Sequence, residues 1–215
     1  MSHTSTPVVF VVNNDRSVRE SLERLIRKAG WQPETFASAH GFLTRPRPAG
    51  ASCLILDVNL SDMDGLDLQH RIAAERGDMP IIFFTDRADI RITVKAMKAG
   101  ALEYLTRPID DEALLNAIRF AVKRSEIALA RENEIQSLRV GFGSLTPRER
   151  EVMTLVVSGL LNKQVGGELG ISEITVKAHR GNVMRKMKAD SFAALVNMAA
   201  RLRMTRSLTT SAVSV

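Results

Sequence analysis

The sequence predicts a doubly wound α/β domain on a five-stranded parallel sheet, followed by an all-α domain of four helices. Three observations carry this reading. Residues 1–124 alternate short apolar runs with helical patterns, whereas residues 145–215 show helical patterns only. The charge divides along the same boundary. Residues 1–124 hold 17 Lys+Arg against 16 Asp+Glu, residues 125–144 hold 2 against 3, and residues 145–215 hold 11 against 5. The whole surplus of +6 therefore sits in the last third, and such a surplus in a small domain suits an anionic partner.

The elements follow in order. Val8–Val12 is a continuous apolar run, as expected of a strand covered on both faces. Val18, Leu22, Leu25, Ile26 and Ala29 have helical spacing, and Gly30 supplies a stop. Gln32–Phe36, Cys53–Leu56, Ile81–Phe84 and Leu102–Leu105 are the further strands, with helical patterns at 39–44, 65–75 and 90–99 between them. A last helix opens at Asp111 and its pattern runs on to about Leu138. Leu115, Val122 and Leu129 recur every seventh residue, as do Ala121, Ala128 and Ile135. Two arrangements fit that seam: a linker that pairs with a second copy, or one amphipathic helix packed on its own domain. Val140–Ser144, with two glycines, is the expected hinge. The domain bounds are thus 1–124, a helical linker and hinge at 125–144, a second domain at 145–204, and a Ser/Thr-rich tail at 205–215 expected to be disordered.

The second domain opens on Thr146-Pro147-Arg148-Glu149. A threonine cap, a proline at the first helical position and a glutamate three residues after the cap make a helix start. Helices are predicted at 147–158, 162–169, 173–187 and 191–203. Between the second and third lies Gly170-Ile171-Ser172, a tight turn whose serine can cap the following helix. Val176, Val183 and Met187 face inward by spacing, which leaves Lys177, Arg180 and Lys188 on an outer stripe. A solvated helix face would carry the same lysines and arginines.

The stretches LTPREREVM, NKQVGGELGIS and TVKAHRGNVMRKM closely resemble the LuxR-type helix-turn-helix of FixJ/NarL response regulators over the whole final domain. The resemblance implies binding to double-stranded DNA, and because one helix-turn-helix covers only a half-site, a homodimer is expected there. It puts the base-reading residues at Lys177, Ala178 and Gly181, and the glycine has no side chain to offer a base. Arg180 and Asn182 are the candidates to take over part of that reading, with Lys163, Ser172, Thr175 and Lys188 as further DNA-contacting candidates. Two surfaces suit a dimer: Leu195, Val196, Ala199 and Leu202 on the last helix, and the receiver face of helix 90–99, strand 102–105 and the helix from Asp111.

The first domain resembles a CheY-like receiver on CLILDVNLSDMDGLDLQ, FFTD and KAGALEYLTRP. The resemblance makes Asp57 the phosphoacceptor, Thr85 the switch hydroxyl and Tyr104 the switch aromatic, with a sensor histidine kinase or another signalling protein acting there. This chain departs from the family beside Asp57. The acidic pair that ends the family's first strand is Asn13 and Asn14 here, Asp15 stands one step further on, and the family lysine is Arg107. Mg²⁺ prefers hard, charged oxygen ligands, so its binding is expected to be weak or absent. Asp57 is then a phosphoacceptor with poor metal support, or a structural carboxylate clamped by Arg107; the substitutions favour the second.

Other chemistries find little support. His3, His40, His70 and His179 make no metal spacing, and Asn13–Ser17 holds no glycine for a phosphate loop. A phosphatase using Asp57 as nucleophile needs a general acid two residues on, where Asn59 stands. Apolar runs are too short to span a bilayer, and Met1–Thr6 has no secretory pattern. Cys53, alone in an apolar run, reads as a buried reduced thiol. The expectation is a cytoplasmic regulator with no membrane partner and no enzymatic activity.

Overall fold

The computed structural model describes residues 6–86 and 89–202, so the tail at 205–215 lies outside the described residues. The chain divides into two compact units, Met1–Ala130 and Arg131–Val215.

In the first unit, β1 (Val8–Val12), β2 (Gln32–Phe36), β3 (Ser52–Leu56), β4 (Ile81–Thr85) and β5 (Glu103–Thr106) form one sheet in the order β2-β1-β3-β4-β5. Every pairing is parallel. The pleat sends alternate side chains of each strand to opposite faces. Phe10, Val12, Leu54, Leu56 and Phe83 join one core, with α2 (Ala39–Leu43), α3 (Gly65–Glu75) and α4 (Ile90–Lys98) over it. Val9, Val11, Cys53, Ile55 and Ile82 join the other, against α1 (Arg16–Lys28) and the start of α5. Two covered faces explain why these strands read as unbroken apolar runs. Burial pushes the Cys53 thiol up to about 12, which keeps it protonated.

Helix α5 corrects two expectations. It runs from Asp111 to Gly143, so the expected hinge at Val140–Ser144 is helical up to Gly143. Two glycines there cost about 1 kcal/mol each relative to alanine. Leu138, buried in the C-terminal core, and Phe142, with the Arg150 guanidinium 5.3 Å from its ring centre, offset that cost. The seam of Leu115, Ala121, Val122 and Leu129 packs into the core of its own domain. These contacts are those expected of an amphipathic helix packed on its own domain, and the boundary expected at residue 124 falls after Ala130.

The second unit packs α6 (Pro147–Val157), α7 (Asn162–Leu169), α8 (Glu173–Met187) and α9 (Phe192–Arg201) around Val152, Met153, Val165, Val176, Val183 and Leu195. Leu195 and Ala199, expected on a dimer surface, are fully buried in this core instead, because α9 has to close it. The Thr146 capping box is formed in full. Glu149 accepts from the Thr146 amide at 2.8 Å and from Lys186 Nζ at 2.6 Å, tying the head of α6 to the end of α8. The Lys186 bond and the Thr146 amide hold the Glu149 carboxyl below the ordinary glutamate range. This stabilisation is present above the unfolded pKa and is lost as pH falls through the depressed folded value. Glu149→Ala is expected to lower stability by about 2 kcal/mol, the scale of a charged hydrogen bond. Thermal unfolding followed against pH checks it: the acid loss of stability should be shallower in Glu149→Ala than in the unsubstituted chain.

Candidate functional site

At the carboxyl ends of the central strands, β1 delivers Asn13, β3 delivers Asp57 and β4 ends on Thr85. Such ends are where open parallel sheets bind ligands. Asp57 is half-buried. Asn13 Nδ2 donates to Asp57 Oδ2 at 2.9 Å, the Asn59 amide donates to Oδ1 at 3.2 Å, and the Thr85 side chain also hydrogen-bonds the carboxylate. Burial nevertheless raises the Asp57 pKa, with the Asn59 and Thr85 bonds and the more distant Arg107 charge pulling the other way.

The expected Asp57–Arg107 clamp is not formed. Arg107 pairs with Asp86 through Nη2, and its guanidinium lies 5.6 Å from the Phe84 ring centre. Asp86 stands just past β4 and is exposed, so it takes the cation without a desolvation cost to a second carboxylate. Neutral donors occupy Asp57. Tyr104 is half-buried, its ring 5.7 Å from that of Phe83, and its hydroxyl is hydrogen-bonded to Thr93 of α4.

The two asparagines are built into the loops as amides. Asn13 Oδ1 accepts from the Asp15 amide at 2.7 Å while its nitrogen serves Asp57. Asn14 Nδ2 donates to the Asn59 carbonyl at 2.8 Å, and its oxygen accepts from the Ser61 amide at 3.1 Å. An aspartate could make neither donation. Asp15 turns away to cap α1, accepting from Ser17, which lowers its pKa. Among the described residues, no three acidic, histidine or cysteine side chains gather as a metal ligand set. One half-buried carboxylate beside two amides committed to loop contacts does not fit Mg²⁺.

In the C-terminal unit, Gly170 ends α7 in the left-handed region at φ 65°. Gly166 lies so close to the turn that a Cβ there would stand 2.7 Å from the Ile171 carbonyl oxygen. Ser172 Oγ caps α8 by accepting from the Thr175 amide at 3.1 Å and lies 2.8 Å from Thr175 Oγ1. Lys177, Ala178, Gly181 and Asn182 are exposed along α8, and Lys163 is exposed in the first turn of α7. Lys177 pairs with Glu173 at 3.0 Å.

The expected outer stripe of Lys177, Arg180 and Lys188 is not continuous. Lys188 is the C-cap of α8, in the left-handed region at φ 55°. Arg180 is half-buried, 4.7 Å from the Phe192 ring centre and 3.2 Å from Asn162 Oδ1, so it binds α8 to α7 and α9. Sequence reasoning missed the partners Asp86, Asn162 and Phe192, and passed over the exposed Ile174 near the start of α8. Periodicity singles out none of the first three, whereas Ile174, an isoleucine off the inward spacing, was visible.

The receiver-domain family of response regulators matches residues 9–119, and the luxR family of bacterial regulatory proteins matches residues 143–199. The chain belongs to the FixJ/NarL-type response regulators. Nodulation protein W of Bradyrhizobium diazoefficiens is 45% identical over 195 residues, covering 91% of this regulator and 86% of its own length. Response regulator protein TmoT of Ectopseudomonas mendocina is 42% identical, covering 91% and 89%. The transcriptional regulatory protein FixJ of B. diazoefficiens is 35% identical, covering 91% and 96%. Among solved structures, the response regulator StyR superposes with a TM-score of 0.81 at 46% identity, covering 92% of this regulator and all of its own chain. This regulator is a DNA-binding member of the two-component class. Among the described residues no helix is long and apolar enough to cross a membrane.

Proposed function

We propose that this response regulator acts in the cytoplasm as a homodimeric transcription factor whose receiver works without Mg²⁺-supported phosphorylation of Asp57. The observation that carries the reading is the amide network: Asn13 donates to the carboxylate that a phosphodonor would have to reach. An anionic carboxylate attacking an anionic phosphoryl group needs positive charge at the site. The guanidinium whose charge acts on Asp57, that of Arg107, is paired with Asp86. Control then passes to a protein partner at the receiver, a sensor kinase or another signalling protein, or to the amount of regulator present.

DNA contact is assigned to the exposed residues Lys177, Ala178, Gly181 and Asn182, with Lys163, Ser172 and Thr175 near the backbone and Lys188 beyond the helix. Arg180 positions α8 through Phe192. A second copy fits on α4, where Ile90, Val94 and Met97 lie on one face and are exposed, Ile90 at 82%.

A second reading keeps ordinary phosphorylation, since Asp57 remains half-exposed and bonded to Thr85. Incubating the full chain with acetyl phosphate and Mg²⁺ separates the two. We expect no gain of phosphoryl mass, and equal affinity of the unsubstituted chain and Asp57→Asn for a duplex selected from random DNA. Asp57→Asn should also raise the melting temperature at neutral pH. A carboxyl whose folded pKa is raised favours the folded state only at low pH, and that favour is lost as pH rises through the folded value. Stoichiometric phosphorylation that tightens DNA binding and disappears in Asp57→Asn would overturn the proposal.

A further inference from the structure

Ile174 is the second residue of α8 and is 79% exposed, beside a helix whose inward face is filled by Val176, Val183 and Met187. An isolated exposed isoleucine needs no explanation on an ordinary surface. Here it leads the recognition helix. Helical geometry puts Ile174, Lys177, Ala178 and Gly181 on one face, at intervals of three and four residues. That face offers one branched apolar group, one cation, one methyl and one bare backbone position. Several polar groups nearby have partners on the protein: Ser172 bonds Thr175, Arg180 meets Asn162 and Phe192, and Lys177 pairs with Glu173 one turn back, whereas Ile174 has no such tie. The surplus of +6 in residues 145–215 marks the occupant of this face as a polyanion.

The edges of the bases in the major groove offer donors, acceptors and a single apolar feature, the C5-methyl group of thymine. We propose that Ile174 is a specificity-determining residue that selects thymine by packing against that methyl. The proposal rests on α8 being the DNA-reading helix. It gives the operator preference of this regulator an apolar component beside whatever Lys177 reads by hydrogen bonding. A serine or lysine at the same position would present a hydrogen-bonding group and lose that selectivity for the methyl.

Replacing thymine by deoxyuridine deletes the methyl and leaves the hydrogen-bonding edge intact. A duplex selected by the full chain from random DNA is resynthesised with uracil at each thymine in turn. Binding is then compared for the unsubstituted chain and Ile174→Ala. One thymine per half-site should show weakening of about fourfold, the scale of one buried methyl group. Ile174→Ala should bind the thymine and uracil duplexes equally. Because Ile174 is exposed, its truncation leaves the fold intact, and the ratio of the two duplexes is independent of any change in protein stability. Equal binding of both duplexes by the unsubstituted chain overturns the proposal. So does the same thymine preference surviving in Ile174→Ala, which would show that another group reads the methyl. Failure of the full chain to select any duplex from random DNA would overturn the DNA-reading assignment of α8 itself, a separate result from duplex binding that ignores the methyl.

Discussion

Asn13→Asp combined with Asn14→Asp is expected to produce a receiver whose stability depends on Mg²⁺. Asn13 Nδ2 stands 2.9 Å from Asp57 Oδ2, and the first substitution replaces that donor by a carboxylate oxygen. Two like charges about 4 Å apart repel by roughly 4 kcal/mol near a protein surface. The second substitution removes the bond from Asn14 to the Asn59 carbonyl and leaves two acceptors facing each other. Without a divalent cation the variant should therefore melt about 10 °C or more below the unsubstituted chain, at roughly 4 °C for each kcal/mol lost. With three clustered acids the site gains the charged oxygens that Mg²⁺ prefers. Ion at about 100 times its dissociation constant would return about 2.7 kcal/mol. Melting curves taken across a Mg²⁺ titration measure both effects. A variant indifferent to Mg²⁺ would sink the account of the amide network, and a Mg²⁺-dependent melting temperature in the unsubstituted chain would show that the amides already hold the ion.

Gly166→Val is expected to remove DNA binding almost entirely, by at least a hundredfold, through the turn rather than through any contact with DNA. The Gly166 carbonyl accepts from the Ile171 amide at 3.0 Å, and a Cβ there would meet the Ile171 carbonyl oxygen at 2.7 Å. Both neighbours are backbone, so no flexible side chain can move aside. Valine adds two further methyl groups, and overpacking of this kind costs about 1–3 kcal/mol or more. The chain can relieve it only by moving α8 away from α7. Gly167 supplies the control, because a Cβ there meets nothing within 4 Å and the residue is exposed. Gly167→Val should keep both fold and affinity. Equal DNA binding by the two variants would show that the approach of α7 to the turn is not required.

Features fixed by neighbours in sequence were legible. The central strands β1, β3 and β4 stand out because each is covered on both faces, and Thr146-Pro147-Arg148-Glu149 marks a helix start because all its partners lie within one turn. The places of Asn13, Asn14, Asp57 and Thr85 at the strand ends came instead from the resemblance to the receiver family. What escaped depends on distant neighbours. Arg107 has Asp15, Asp57 and Asp86 near enough to feel its charge, and it pairs with Asp86 while Asn13 and Asn59 hydrogen-bond Asp57. Arg180 looks like an outward cation until α9 brings Phe192 beneath it. The glycines near residue 141 read as a hinge because local propensity says nothing of Leu138, buried in a core assembled from residues further along. Shifts of one or two residues at helix starts, as at Arg16 with Asp15 as its cap, come from caps that periodicity does not register.

The bare backbone at Gly181 has a consequence for how this regulator can diverge from its relatives. A Cβ there meets nothing within 4 Å, and glycine within a helix is about 1 kcal/mol less favourable than alanine. Most single-codon changes at this position would therefore place a new side chain on the face proposed to read DNA while strengthening the helix that carries it. Changes of DNA preference usually have to be weighed against lost stability, since most substitutions destabilise. At Gly181 the two run in the same direction, so a duplicated copy of this gene could acquire a new set of operators by one step that its fold would tolerate from the outset.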